Sequence, residues 1–118
     1  MDVTGDFNYE DVSVISENEP IMKNERVISF LGIIRDHIKD IDRIILENID
    51  SWKIDRLAKA DLAILRVAVG EMFFCDDIPE SVSINEAVEL AKKYGDEKSS
   101  AFVNAVLGKI SRNRSSYE

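Results

Sequence analysis

Few residues of this 118-residue chain could support catalysis or metal binding. The sequence contains one histidine, His37, and one cysteine, Cys75, which excludes an internal disulfide and a cysteine-based zinc site. The acidic run at 76–80 lacks the spacing of a calcium loop, and the glycines form no phosphate-binding loop. We therefore expect no enzymatic activity and no cofactor, with His37 solvated on the surface and Cys75 a buried free thiol.

Two charged residues interrupt the most apolar segment of the chain. Asp61 lies at the start of this segment, and Arg66 lies within it. A charge in apolar surroundings must be paired or must face a groove. Two interpretations stay open: Arg66 pairs with a neighbouring carboxylate and fixes the packing, or Asp61 and Arg66 flank a groove that receives another protein.

A second group of residues has the chemistry of single-stranded nucleic-acid binding. Gly95, Lys98, Ser99 and Phe102 place a helix start, a cation and an aromatic ring close together in the sequence. A base can stack on such a ring while the amides of a helix start meet phosphate. The alternative is that Phe102 belongs to the core, which its helical spacing supports.

The charge distribution argues against a protein that binds nucleic acid on its own. The net charge is −8, with 23 acidic and 15 basic side chains, whereas phosphate neutralisation needs a basic surface. Residues 1–50 hold twelve of the acidic side chains, and only the part from residue 81 onward is slightly positive. The basic residues of that part are Lys92, Lys93, Lys98, Lys109, Arg112 and Arg114.

The apolar periodicity predicts an all-α bundle in a single domain, residues 1–118. Residues 57–75 form its central helix, because a helix that is apolar nearly all round is a buried one. Further helices are predicted at 24–48, 83–94 and 99–111, after an acidic lead-in at 1–21. Asp42 falls on the solvated face of the first helix, and the chain is expected to fray after Ser111.

Local signals place the helix ends. Asn24 is predicted to cap the first helix, and Ser83 with Glu86 fits the capping-box spacing. Gly95 is predicted to end the third helix. Gly70 lies inside the central helix, where glycine costs about 1 kcal/mol relative to alanine, which indicates close approach of another helix. No run of 18 apolar residues occurs, and the N-terminus is unlike a secretory signal, so we expect a cytoplasmic protein.

The stretch Trp52–Ile110 resembles the NusB family of transcription antitermination factors. The resemblance is carried by Asp55-Arg56-Leu57, Ala63-Ile64-Leu65-Arg66, Asp77-Ile78-Pro79, the run from Ile84 to Lys92, and Phe102-Val103-Asn104 with Val106-Leu107. It implies an all-helical NusB fold and a non-enzymatic role in bacterial transcription.

The resemblance also implies partners and contact residues. Family members pair with the small-subunit ribosomal protein NusE, bind the boxA element of nascent RNA, and help the RNA polymerase antitermination complex to read through terminators in ribosomal RNA operons. The family's protein contacts fall on Asp61 and Arg66 of this chain. Its RNA contacts fall on Lys98, Ser99 and Phe102.

The chain departs from the family pattern in two respects. It shows no Arg-rich first helix, as if Met1 were a position just after that helix, so boxA binding by the chain alone is expected to be weak. An apolar groove left uncovered in this way favours a homodimer. Gly70 stands where relatives commonly carry an aromatic residue. Two alternatives remain: a NusB-like module of a ribosomal RNA methyltransferase, and a helical dimer without an RNA role.

Overall fold

Five helices occupy the part of the chain that the computed structural model describes, residues 24–49, 57–75 and 77–114. They are α1 (Glu25–Asp36), α2 (Ile38–Glu47), α3 (Lys59–Phe74), α4 (Glu80–Tyr94) and α5 (Ser99–Arg112). No strand occurs among these residues, so the predicted all-α fold is confirmed. The predicted lead-in at 1–21 lies outside them. In the same ranges, no helix has both the length and the hydropathy that a membrane crossing requires.

Helix α3 is the centre of the bundle and packs against each of the other four helices. Every residue from 63 to 72 is buried, because this helix has no polar face for water to solvate. The predicted central helix is therefore confirmed. The side chains that the other helices bury in the shared core include Ile34, Ile41, Ile45, Leu90, Ala91, Val103 and Leu107.

The predicted helix at 24–48 is wrong in its continuity, because the chain forms two helices that meet at His37. The cap at its start is confirmed, since the Val27 N–H donates to Asn24 Oδ1 at 3.3 Å.

The expectation of a solvated His37 is also wrong. Its ring is half-buried and stacks on the ring of Phe74, with centroids 3.8 Å apart and planes at 10°. No proline or glycine marks the break in the sequence. The apolar spacing alone does not show where the first helix ends and the second begins.

Helix α4 begins at Glu80, three residues before the predicted cap at Ser83. Pro79 precedes the helix with φ −60°, a value already suited to a helix start. Ser83 is consequently buried inside the helix, and its hydroxyl donates to Glu71 Oε1 of α3 at 2.8 Å. The predicted capping box is therefore wrong, and this serine serves helix packing.

The end of α5 is held by Arg114, where the sequence predicts fraying. Arg114 Nη1 lies 2.9 Å from Glu80 Oε2, and Arg114 Nη2 donates to the Met72 carbonyl oxygen. The guanidinium also lies over the Phe73 ring, 4.9 Å from its centroid. Ser111 Oγ donates to the other Glu80 oxygen at 2.5 Å. These contacts, which we call the Arg114 clasp, join α5 to the end of α3 and the start of α4.

Gly70 faces the junction of α1 and α2. A methyl group added there would lie 3.7 Å from Ile33 Cγ2 and Ile41 Cδ1 and 3.8 Å from Ile34 Cγ1. These are ordinary contact distances, so the neighbouring helices leave room for a methyl group but not for an aromatic ring.

Candidate functional site

Arg66, predicted to contact a protein partner, lies in the interior. Its side chain has no exposed surface, and it binds Asp42 through two hydrogen bonds, Nε to Oδ1 at 3.0 Å and Nη2 to Oδ2 at 2.9 Å. Two parallel bonds to one carboxylate are the geometry that a guanidinium makes best. In this structure Arg66 fixes the packing of α2 on α3 and presents no surface to a partner.

Asp42 was not recognised as a core residue from the sequence. The expectation that it is solvated is wrong, because its side chain is fully buried against Arg66. Burial raises the pKa of Asp42, and the hydrogen bond and charge of Arg66 offset only part of that rise. A sequence signal did exist: Asp42 lies four residues after Ile38 and three before Ile45, which places it on the apolar stripe of α2.

Asp61 lies five residues before Arg66, a separation of about 140° around the helix axis, so the two side chains point in different directions. Asp61 is 7% exposed and lies close to the start of α5. Burial raises the pKa of Asp61, the nearby Ser99 hydroxyl lowers it, and the charge of Asp96 raises it further. Its Oδ1 atom is buried without a hydrogen-bond partner among the described residues.

A tight turn connects α4 to α5 beside Asp61. The Asp96 N–H donates to Ser99 Oγ at 3.0 Å, and the Lys98 N–H donates to Asp96 Oδ1 at 2.8 Å. Gly95 ends α4 with φ −96°, so it does not adopt the left-handed conformation that usually favours glycine here. It is needed for space instead, since a Cβ would lie 2.3 Å from Ser99 Oγ.

The predicted RNA contacts lie together at this turn and the first turn of α5. Lys98 is exposed, Ser99 is buried and Phe102 is half-buried. The Phe102 N–H donates to the Lys98 carbonyl oxygen at 3.1 Å, so these two residues lie one helical turn apart on the same face. Phe102 also packs against the core, as one of its two interpretations predicts, and its role in RNA binding stays a prediction. Asp61 adjoins this group, whereas Arg66 does not.

No metal centre is evident in the described ranges, where no three side chains of the histidine, cysteine, aspartate and glutamate types could hold an ion together. Cys75 lies at the end of α3 and forms no disulfide within the described residues. It is partly exposed, so the expectation that it is buried is wrong. The start of α5 brings together a cation, a partly exposed ring and, close by, a buried carboxyl group.

Comparison with known proteins gives one consistent family. Residues 14–112 match the model of the NusB family. The transcription antitermination protein NusB of Clostridium perfringens (strain SM101 / Type A) is 38% identical over 117 residues, which cover 96% of this chain and 87% of that protein. The protein of the same name from Bacillus velezensis is 45% identical over 108 residues, covering 85% and 82%.

A solved structure agrees. The T. maritima NusB structure superposes with a TM-score of 0.67 at 38% sequence identity, over 71% of this chain and 59% of that chain. The family match spans most of the sequence. The structural match shows that the fold described above is similar to that of a NusB protein. On this evidence the chain belongs to the NusB family.

Proposed function

We propose that this protein is a transcription antitermination factor that binds boxA RNA together with the ribosomal protein NusE. The proposal is supported by family membership and by the names of the relatives. We further propose that it acts by binding rather than by catalysis, in the cytoplasm.

The observation that carries the RNA-binding part of the proposal is the pairing of Lys98 and Phe102 at the start of α5. Lys98 is exposed and Phe102 is half-buried, one helical turn apart on one face. A lysine at this place attracts a phosphate, and a partly exposed ring offers a stacking surface to an unpaired base. Ser99 supports the turn between them and is itself buried.

The protein partner is proposed to dock beside Asp61, at the start of α3. The exposed carboxylate of Asp96 lies near Asp61, and it suits a basic surface on the partner. Arg66 is not included in this surface, because its buried pairing with Asp42 leaves it no exposed atoms. Its proposed contribution is indirect, through the packing of α2 on α3.

Fluorescence anisotropy with labelled single-stranded boxA RNA tests the proposal, with and without NusE. We expect the chain to prefer boxA over a scrambled RNA and to bind it more tightly when NusE is present. Lys98→Ala should weaken binding and lower the slope of log affinity against log salt by about 0.7, as expected for one lost phosphate contact on a single strand.

The matched control is Lys39→Ala, which removes an exposed lysine from α2. This variant should keep both the affinity and the salt slope of the unmodified chain. Equal binding of boxA and scrambled RNA in the presence of NusE would refute the proposed function. An equal effect of the two lysine substitutions would show that the start of α5 is not part of the RNA-binding surface.

A further inference from the structure

The start of α1 is tied to the end of α4. Asn24 Nδ2 donates a hydrogen bond to the Tyr94 hydroxyl at 3.3 Å, while Asn24 Oδ1 caps α1 by accepting the Val27 N–H. One asparagine side chain therefore joins the first turn of α1 to the last residue of α4. Tyr94 also adjoins Lys93, whose Nζ atom lies 5.3 Å from the centroid of the tyrosine ring. The chain that precedes α1 is thus attached beside this lysine.

The same end of α4 adjoins the proposed RNA surface. Only the turn at 95–98 separates α4 from α5, and a Cβ on Gly95 would overlap the Ser99 side chain, so the two helix ends are in close contact. Lys93 and Lys98 lie on either side of Gly95, and both are exposed. A phosphate that approaches these lysines therefore also approaches the point where the chain enters α1.

The segment before α1 carries most of the net charge of the protein. Residues 1–23 contain six acidic side chains and one basic side chain, which give −5 of the net charge of −8. They lie outside the described residues, but their distance from Asn24 has an upper limit, because a chain spans at most about 3.6 Å per residue. In any conformation, Glu19 therefore lies within about 18 Å of Asn24, and Glu17 within about 25 Å.

We propose that the acidic side chains of residues 1–23 oppose RNA binding, because their negative charge is attached beside the lysines that attract phosphate. This inference rests on the proposed function and adds an autoinhibitory element that limits RNA affinity from within the chain. Charges act on one another over about 10 Å at 0.1 M salt and about 30 Å at 0.01 M. The repulsion requires only proximity to Lys93 and Lys98 and no fixed conformation of the segment.

The test neutralises acidic residues of this segment in the full 118-residue chain. Glu10→Gln, Glu17→Gln and Glu19→Gln together remove three negative charges without shortening the chain. The affinity for labelled single-stranded boxA RNA should rise about threefold at 0.1 M salt and more at 0.01 M, where the charges are less screened. The affinity for a scrambled RNA should rise by the same factor, because the repulsion acts on phosphates, which carry no sequence information.

Three exposed acidic residues at the opposite end of the bundle provide the matched control, Asp36→Asn, Asp40→Asn and Glu47→Gln. Helix α2 starts at the end of α3, where His37 stacks on Phe74. It ends next to Asn113, which donates to Asn48 Oδ1 at 3.3 Å. Asn113 follows α5, whose 14 residues span about 21 Å, about twice the screening length at 0.1 M. The control variant should therefore bind RNA within about 1.3-fold of the unmodified chain at 0.1 M salt.

Three results would overturn the inference: an unchanged RNA affinity of the triple glutamine variant, an equal gain in the control variant, or a gain that does not fall as salt rises. If circular dichroism shows that the triple variant does not fold, Glu19→Gln replaces it and should give a smaller gain in the same direction. The preference for boxA over scrambled RNA tests the proposed function separately. Its absence in the unmodified chain refutes that function, whereas a preference for boxA without a gain in the glutamine variant refutes only this inference.

Discussion

Asp42 on α2 and Arg66 on α3 face each other inside the bundle and share two hydrogen bonds, at 3.0 and 2.9 Å, with neither side chain exposed. Taking both charges out of water is costly, and an attraction in the interior repays that cost only when the geometry is good. Arg66 Nη1 remains without a partner among the described residues, so the attraction offsets only part of the desolvation cost. We expect the pair to specify how α2 lies on α3 more than to add net stability.

The first prediction concerns the loss of one partner of this pair. Asp42→Ala leaves the Arg66 guanidinium buried and unpaired, which should lower the free energy of unfolding by about 3–5 kcal/mol. Replacing both residues, with Asp42→Leu and Arg66→Met, removes the buried charges together and should recover most of that loss. Urea denaturation followed by circular dichroism measures both effects.

The control for the buried pair lies on the same helix. Asp40 and Arg43 are 3.7 Å apart, with side chains 58% and 59% exposed. Asp40→Ala should change the free energy of unfolding by less than about 0.5 kcal/mol, because water screens an exposed pair. If Asp40→Ala and Asp42→Ala destabilise the protein equally, burial of the Asp42–Arg66 pair is not the cause of the loss of stability in Asp42→Ala.

The second prediction is that Gly70→Ala stabilises the protein. Alanine favours the helix by about 1 kcal/mol over glycine, and its methyl group would meet Ile33 and Ile41 at 3.7 Å, an ordinary contact distance. The free energy of unfolding should therefore rise by about 1 kcal/mol or slightly more. Gly70→Tyr should instead destabilise, since no space for a ring exists there. A loss of stability in Gly70→Ala would show that α1 and α2 lie closer to α3 than the structure has them.

Local sequence patterns predicted those parts of the fold that depend on neighbouring residues. The buried helix α3 follows from an apolar run without a polar face, and the cap at Asn24 follows from an asparagine three residues before a helical amide. The division at His37 has no such signal, since no proline or glycine lies there, and its ring contacts Phe74, which is distant in the sequence. The predicted single domain over 1–118 stays a prediction, since parts of that range lie outside the described residues.

At the candidate site, too, only the features that depend on residues close in the sequence could be predicted. The grouping of Lys98, Ser99 and Phe102 could be predicted, because a helix brings residues three and four apart to one face. The need of Arg66 for a carboxylate could also be predicted, and the apolar stripe of α2 marks Asp42 as buried, but the pairing of these two residues could not be predicted. Asp42 is 24 positions away in the sequence, and helical periodicity carries no information at that separation. The proximity of Asp61 to Asp96 and Ser99 could not be predicted for the same reason.

The third prediction is that Gly95→Ala destabilises the protein, because this glycine, unlike Gly70, has no room for a methyl group. Gly95→Ala would place a Cβ 2.3 Å from Ser99 Oγ and 2.9 Å from the Ala91 carbonyl oxygen, so the turn must shift. We expect a loss of about 1–3 kcal/mol in the free energy of unfolding, as for other overpacked sites. Because φ at Gly95 is −96°, Gly95→Asn should not restore stability. Rescue by asparagine would indicate a left-handed conformation instead.

The last prediction concerns the Arg114 clasp and acid. The hydrogen bond from Ser111 and the hydrogen bond and charge of Arg114 lower the pKa of Glu80 below its ordinary value of 4.5. A carboxyl group with a lowered pKa in the folded state stabilises the protein above its unfolded pKa, and this contribution is lost as the pH falls through the folded pKa. Glu80→Gln should therefore be less stable than the unmodified chain at neutral pH, and the difference should shrink below pH 4.5.

Urea denaturation at a series of pH values measures this difference. Glu89→Gln is the matched control, because Glu89 pairs with Lys92 at 3.4 Å on an exposed face, where water screens the charges. This control should show almost no loss at any pH. The two glutamates differ in what surrounds them: the Glu80 carboxylate is held by Ser111 and Arg114 at the meeting point of three helices. A difference between Glu80→Gln and the unmodified chain that does not change with pH would mean that the clasp acts through packing of Arg114 on Phe73 and not through the charge of Glu80.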